Sequence, residues 1–167
     1  LTASATALNP YTKAIVTATA TPAGNYMYDW YKNNLLIPGI TGSTYEAGID
    51  DVGDLKVIAR NQATGCADTS AAIKITGIQS DIVFISPNPN DGIFTVRFYK
   101  DPVSGPQERY LSIYDSKGAR VYVRKYSITA IYEKMQVTLP QLASGVYMVE
   151  LTSSSGKRLG VGKAVVQ

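Results

Sequence analysis

The 167-residue chain carries 45% hydrophobic residues, a formal net charge of +3, no histidine and a single cysteine. Without histidine there is no Ser-His or Cys-His nucleophile pair and no His/Cys zinc cluster, and one cysteine cannot close a disulfide within the chain. No apolar run approaches the ~18 residues of a membrane-spanning helix, and Lys and Arg never form the long basic runs of a nucleic-acid stripe.

The chain does not open with Met, and its first residues lack the pattern of a signal peptide. A piece of a longer protein, or a mature product, is therefore expected. Residues 1–80 hold five basic and six acidic side chains, against eleven and seven in residues 81–167, so the positive excess lies in the second half. A solvated surface explains that excess. Cys66 is expected to be a small, half-buried apolar side chain.

Helical periodicity is nearly absent, whereas β-branched and aromatic residues alternate with polar ones between Gly, Pro, Asn and Asp. The first half predicts strands over residues 2–7, 14–21, 26–32, 36–40, 43–47, 55–60 and 69–75, with turns at Pro22-Ala23-Gly24-Asn25, Pro38-Gly39 and Gly53. Trp30 falls mid-strand before a polar turn at Asn33-Asn34, and Asp51-Val52-Gly53-Asp54-Leu55-Lys56-Val57 leads into a later strand. Together these resemble the immunoglobulin-like sandwich, with Leu55 at the tyrosine-corner position and Val57 where the inter-sheet cysteine would stand. A disulfide-free bacterial module of that type is implied. A second break, at residues 77–81, precedes a second set of alternating segments: Ile82–Ile85, Phe94/Val96/Phe98, Leu111/Ile113, Val121/Val123 alternating with Tyr122/Arg124, Met135/Val137/Leu139, Tyr147/Val149/Leu151, and Val161/Val165 flanking Lys163. The expected fold is all-β, with two tandem Ig-like β-sandwich domains over residues 1–76 and 82–167.

Three features of the first half invite a binding role. Asp50, Asp51 and Asp54 offer carboxylates to a hard cation, or an Asp to the backbone at a sandwich corner, which is the favoured reading. Tyr26, Tyr28 and Trp30 share one strand face and read as core, leaving Tyr31 and Tyr45 as outward candidates for stacking on a carbohydrate. No acid pair sits in an evident cleft, so no catalytic, metal or cofactor site is expected.

The second half is punctuated by an ordered set of turns. Pro87 and Pro89 fix φ, Asn88 is pushed extended, and Gly92 can take φ > 0. Asp115 and Gly118 suit a hairpin turn. Leu142, Gly145 and Tyr147 open a strand, and Lys163 sits near the end. This set resembles the C-terminal sorting domain of Bacteroidetes proteins exported by the type IX secretion system, over roughly the last half of the chain. The resemblance implies recognition by the outer-membrane export machinery and cleavage by a sortase in the linker Thr76, Gly77, Ile78, Gln79, Ser80, Asp81. It also implies a product secreted, or held at the cell surface on an anionic lipopolysaccharide. The rival expectation is an Ig-like adhesion module that binds carbohydrate or protein and has no sorting role.

Overall fold

Alternation with a period of two puts one face of each strand against a core and the other against water, and this chain solves that twice. The computed structural model describes residues 1–139 and 141–167, which divide into two units, Leu1–Ile78 and Gln79–Gln167. No α-helix occurs among the described residues.

The first unit contains β1 (Thr2–Ala3), β2 (Ala7–Leu8), β3 (Ala14–Thr17), β4 (Tyr26–Lys32), β5 (Leu35–Leu36), β6 (Thr44–Ala47), β7 (Gly53–Asn61), β8 (Ala67–Thr69) and β9 (Ile73–Gly77). One sheet has the order β1-β3-β6, and the other β2-β9-β7-β4-β5, with β8 paired to β7. All pairings are antiparallel except β2 with β9. Pairing the third strand with the sixth and the fourth with the seventh is the immunoglobulin-like arrangement. Trp30 and Leu55 are fully buried between the sheets, and Val57 stands directly opposite Trp30. Apolar burial here, at roughly 1.5–3 kcal/mol per large side chain, takes the place of the inter-sheet disulfide.

Three corrections concern this unit. Tyr45 is buried rather than outward. Its ring lies 5.6 Å from that of Trp30, and its hydroxyl donates to Asp51 Oδ1 at 2.8 Å. Asp51 Oδ2 accepts the Gly48 N–H at 2.8 Å, so this carboxylate ties the corner before β7, with Tyr45 replacing the absent corner tyrosine. Cys66 is exposed rather than half-buried, because it sits in the turn between β7 and β8. The segment expected over residues 36–40 shrinks to the two residues of β5, since Pro38 and Gly39 turn the chain away. The hairpin before it is built from Asn33 and Asn34, both at positive φ. Gly53, at φ +139°, lets Asn33 Oδ1 come close; a Cβ there would lie 2.5 Å from that oxygen.

The second unit contains β10 (Phe84–Ser86), β11 (Ile93–Arg97), β12 (Gln107–Tyr114), β13 (Arg120–Ile128), β14 (Met135–Thr138), β15 (Gly145–Ser153) and β16 (Arg158–Val166). A three-stranded sheet, β10-β11-β14, faces a four-stranded one, β13-β12-β15-β16. The pairing logic repeats: β11 with β14, and β12 with β15. Phe94, Val96, Leu111, Ile113, Met135, Val137, Val149 and Leu151 fill the space between.

The two edge strands of the four-stranded sheet differ from a plain apolar alternation. In β13, Tyr122 and Tyr126 are the side chains packed on the core, while Val121 and Val123 face out. In β16, Gly160, Gly162, Ala164 and Val166 line the inner face. A Cβ on Gly160 would meet Val83 Cγ2 at 2.8 Å and Phe98 at 2.9 Å, and one on Gly162 would meet Ile85 at 3.0 Å. Small residues are needed there because β10 crosses close to β16.

Candidate recognition surface

The turn residues singled out from sequence converge on one end of the second sandwich. Pro87–Gly92 joins β10 to β11, with both X-Pro bonds cis. Asn88 and Asn90 turn this loop into a clamp on β16. The Asn88 amide donates to Lys163 O at 3.0 Å, and its Oδ1 accepts the Val165 N–H at 2.8 Å. Asn90 extends the pairing through its backbone: its N–H donates to Val165 O, and its carbonyl accepts from Gln167, both at 2.9 Å. Its side chain is buried, and its Oδ1 takes the N–H of Gly92 at 2.9 Å. Gly92, at φ +88°, then sends its carbonyl to Leu139 N at 2.8 Å. The loop therefore finishes an otherwise open sheet edge.

The penultimate motif abuts the same edge. Gly145 pairs with Val166, and Tyr147 with Ala164. Tyr147 is buried, and its hydroxyl donates to Ala143 O at 2.8 Å, pinning the loop that opens β15. Leu142 packs on the core from that loop. The hairpin from β12 to β13 lies at this end too, because Tyr114 pairs with Met148 and Met148 with Lys163. Asp115 Oδ1 accepts from Lys117 N and Ala119 N, both at 2.9 Å, and Gly118 takes φ +81°. Asn88, Asn90, Gly92, Asp115, Gly118 and Tyr147 thus shape the backbone at this end.

The first strand of this unit pairs Phe84 with Arg97 and Ser86 with Thr95, so the chain comes in at the opposite end. That end holds two buried cations. Lys100 donates to Asp101 O at 3.0 Å and Ser104 O at 2.6 Å. Arg109 donates to Phe98 O at 2.9 Å and Tyr99 O at 2.7 Å, and lies over the Phe98 ring at 5.1 Å. Burial lowers the pKa of the Arg109 guanidinium. Both brace the loop from 98 to 107 through carbonyls.

Sequence reasoning missed the outer face of the four-stranded sheet. Successive cross-strand rows there read Val123, Ser112, Glu150, Val161 and then Arg120, Tyr114, Met148, Lys163, followed by Val146 beside Val165. Met148, Val146, Val161 and Val123 are 43%, 52%, 44% and 51% exposed. Glu150, one row further along, accepts the Tyr114 hydroxyl at 3.2 Å, and the charged residues of the two motif-proximal rows are both basic: Arg120 and Lys163. The signal was present in β15, whose residues Val146, Tyr147, Met148 and Val149 are apolar on both faces, the pattern of a strand covered twice.

The expected linker, residues 76–81, divides in two. Thr76 and Gly77 pair with Ala7 and Leu8, and Ile78 N donates to Leu8 O at 2.7 Å. Gln79, Ser80 and Asp81 belong to no strand. Among the described residues, no group of three His, Cys, Asp or Glu is placed to hold a metal, and no helix is long and apolar enough to cross a membrane.

Comparison with known proteins gives one family. The profile described as "Secretion system C-terminal sorting domain" matches residues 84–167, just over half the chain. No curated protein matches. Among solved structures, the chain is similar to the three N-terminal domains of the bacteriophage RB49 Highly Immunogenic Outer Capsid protein (Hoc), with 16% identity and a TM-score of 0.43 over 99% of this chain and 57% of that one. It is also similar to Sidekick-1 immunoglobulin domains 1-5, with 15% identity and a TM-score of 0.37 over 96% and 38%. The chain thus spans less than two thirds of either structure.

Proposed function

Since the chain belongs to the secretion-system C-terminal sorting domains, we propose that its second sandwich is a non-catalytic address read at one end by the type IX export machinery, while the first serves as a spacer. The observation that carries this reading is the convergence of Asn88, Asn90, Gly118, Gly145 and Lys163 around a single end, remote from where the chain enters that sandwich.

The contact surface is the outer face of β12, β15 and β16 next to the motifs. Exposed Met148, Val146 and Val161 supply apolar area, and Lys163 and Arg120 supply charge. Apolar patches rimmed by polar groups mark protein contacts. The motif residues contribute by holding this face flat and its edge closed.

Sortase cleavage falls within Gln79–Asp81. A protease needs an extended backbone free of other partners, and the backbone from Thr76 to Ile78 is committed to β2. The released product is secreted or joined to an anionic lipopolysaccharide at the surface.

Fusing residues 79–167 to a periplasmic reporter in a type IX-competent host tests the assignment. The reporter is expected outside the outer membrane, shortened by cleavage between Gln79 and Asp81. Periplasmic retention of a folded, protease-resistant fusion would remove the sorting role.

A further inference from the structure

The first sandwich contains a cavity of about 470 Å³ at one end, between the segment leaving β3 with the start of β4 and the end of β7 with β8. That volume suits a small ligand. Two aromatic rings form part of its wall, Tyr26 and Tyr28, with centroids 6.4 Å apart. The Tyr26 hydroxyl donates to Pro22 O at 2.9 Å, which fixes its ring.

Tyr28 is different. It is 9% exposed, yet its hydroxyl has no hydrogen-bond partner among the described residues and is not sealed from the cavity. Open to the cavity, it is available to donate to or accept from whatever occupies that space. Asn61, the cross-strand partner of Tyr26 on β7, repeats the theme beside the two rings. Its Oδ1 accepts from Ala63 N at 2.9 Å and Thr64 N at 3.1 Å, which orients the amide and leaves its N–H donors without a partner among the described residues. Asp68 adds a carboxylate, and no Lys or Arg lines the space.

We propose that this cavity binds a neutral saccharide of one or two rings. Sugar rings present C–H faces that pack on aromatic rings, and hydroxyls that both donate and accept. The hydroxyl of Tyr28, the amide donors of Asn61 and the acceptor oxygens of Asp68 complement that mixture. An anionic ligand would find a carboxylate and no Lys or Arg side chain, and a purely apolar one would leave Tyr28 and Asn61 unpaired. The site lies wholly within the first sandwich and is independent of the sorting role.

The test uses the whole chain, nitrogen-15-labelled, titrated with glucose, galactose, mannose, N-acetylglucosamine, lactose and cellobiose at millimolar concentration, with glucose phosphate as the anionic control. At least one neutral sugar is expected to shift the amides of Tyr26, Asn61, Thr64 and Ser70 saturably, ahead of the control. Tyr28→Phe keeps the ring and removes only the hydroxyl, so it should weaken binding by about fivefold while leaving the remaining spectrum native. Ala67→Trp, at the mouth, should abolish it. A cavity silent to every neutral sugar, stronger shifts with glucose phosphate, or equal affinity in Tyr28→Phe would overturn the proposal.

Discussion

Asn90 shows how much a turn residue of the second sandwich does. Its side chain caps Gly92, and its backbone bridges Val165 and Gln167. Replacing it with Ala strands the buried Gly92 N–H, since an unpaired buried donor costs about 1–3 kcal/mol. Asn90→Ala should therefore lower unfolding stability by about 2 kcal/mol in urea titration. Asn88, whose bonds are exposed, should lose less on substitution by Ala. Equal, negligible losses for both would contradict the clamp. These positions were legible as turn chemistry, because Pro and Gly announce their backbone preferences locally. That Asn88 reaches the backbone of Lys163 and Val165 was not, because the two segments are far apart in sequence and only the fold joins them. Tyr45 was misplaced for a similar reason: its partner, Asp51, is a corner carboxylate, whereas a single strand's alternation carries no record of what lies across the sheet.

At the level of elements, the strands themselves were written in the period-two pattern, and so was the division into two sandwiches. The faces of edge strands were harder. In β16 the sequence shows Val161 and Val165 flanking Lys163, and the inner face is Gly160, Gly162, Ala164 and Val166. The cause is the close passage of Val83 and Phe98 over Gly160, and of Ile85 and Val83 over Gly162, which leaves no space for a Cβ. Gly160→Val should cost about 1–3 kcal/mol by overpacking, read as a lowered thermal midpoint, whereas Val161→Thr on the outer face should be near neutral. A stable Gly160→Val would mean that Val83 and Phe98 do not press on β16. The two-sided apolar character of β15 is the other element-scale clue. Its inner residues are explained by the core, and Val146 and Met148 are left for a partner.

For the whole molecule, three tyrosines couple both sandwiches to alkaline pH. Burial first, then the Asp51 bond, raises the pKa of Tyr45 in the first sandwich. In the second, burial and the Tyr122 hydroxyl raise Tyr126, and burial with Tyr99 pushes Tyr132 up to about 12. A raised folded pKa gives stability that is fully present below the unfolded value of about 10 and is lost as pH rises through the folded one. Stability should hold up to about pH 10 and fall above it. Trp30, the sole tryptophan, reports the first sandwich by fluorescence, and Tyr45→Phe should make its alkaline loss shallower. An unchanged slope would show that Tyr45 does not titrate on unfolding.

The same whole-molecule view defines the division of labour, with cargo entering one end of the second sandwich and recognition at the other. The most direct measurement compares export of the reporter fused to residues 79–167 with Met148→Glu, on the outer face beside Lys163, and with Lys157→Glu, in the turn between β15 and β16 at the far end. Burying a new carboxylate in an apolar contact costs well over 1 kcal/mol, so Met148→Glu should cut export by about tenfold or more at unchanged melting temperature, while Lys157→Glu exports normally. Equal export of both folded variants would contradict recognition through this face.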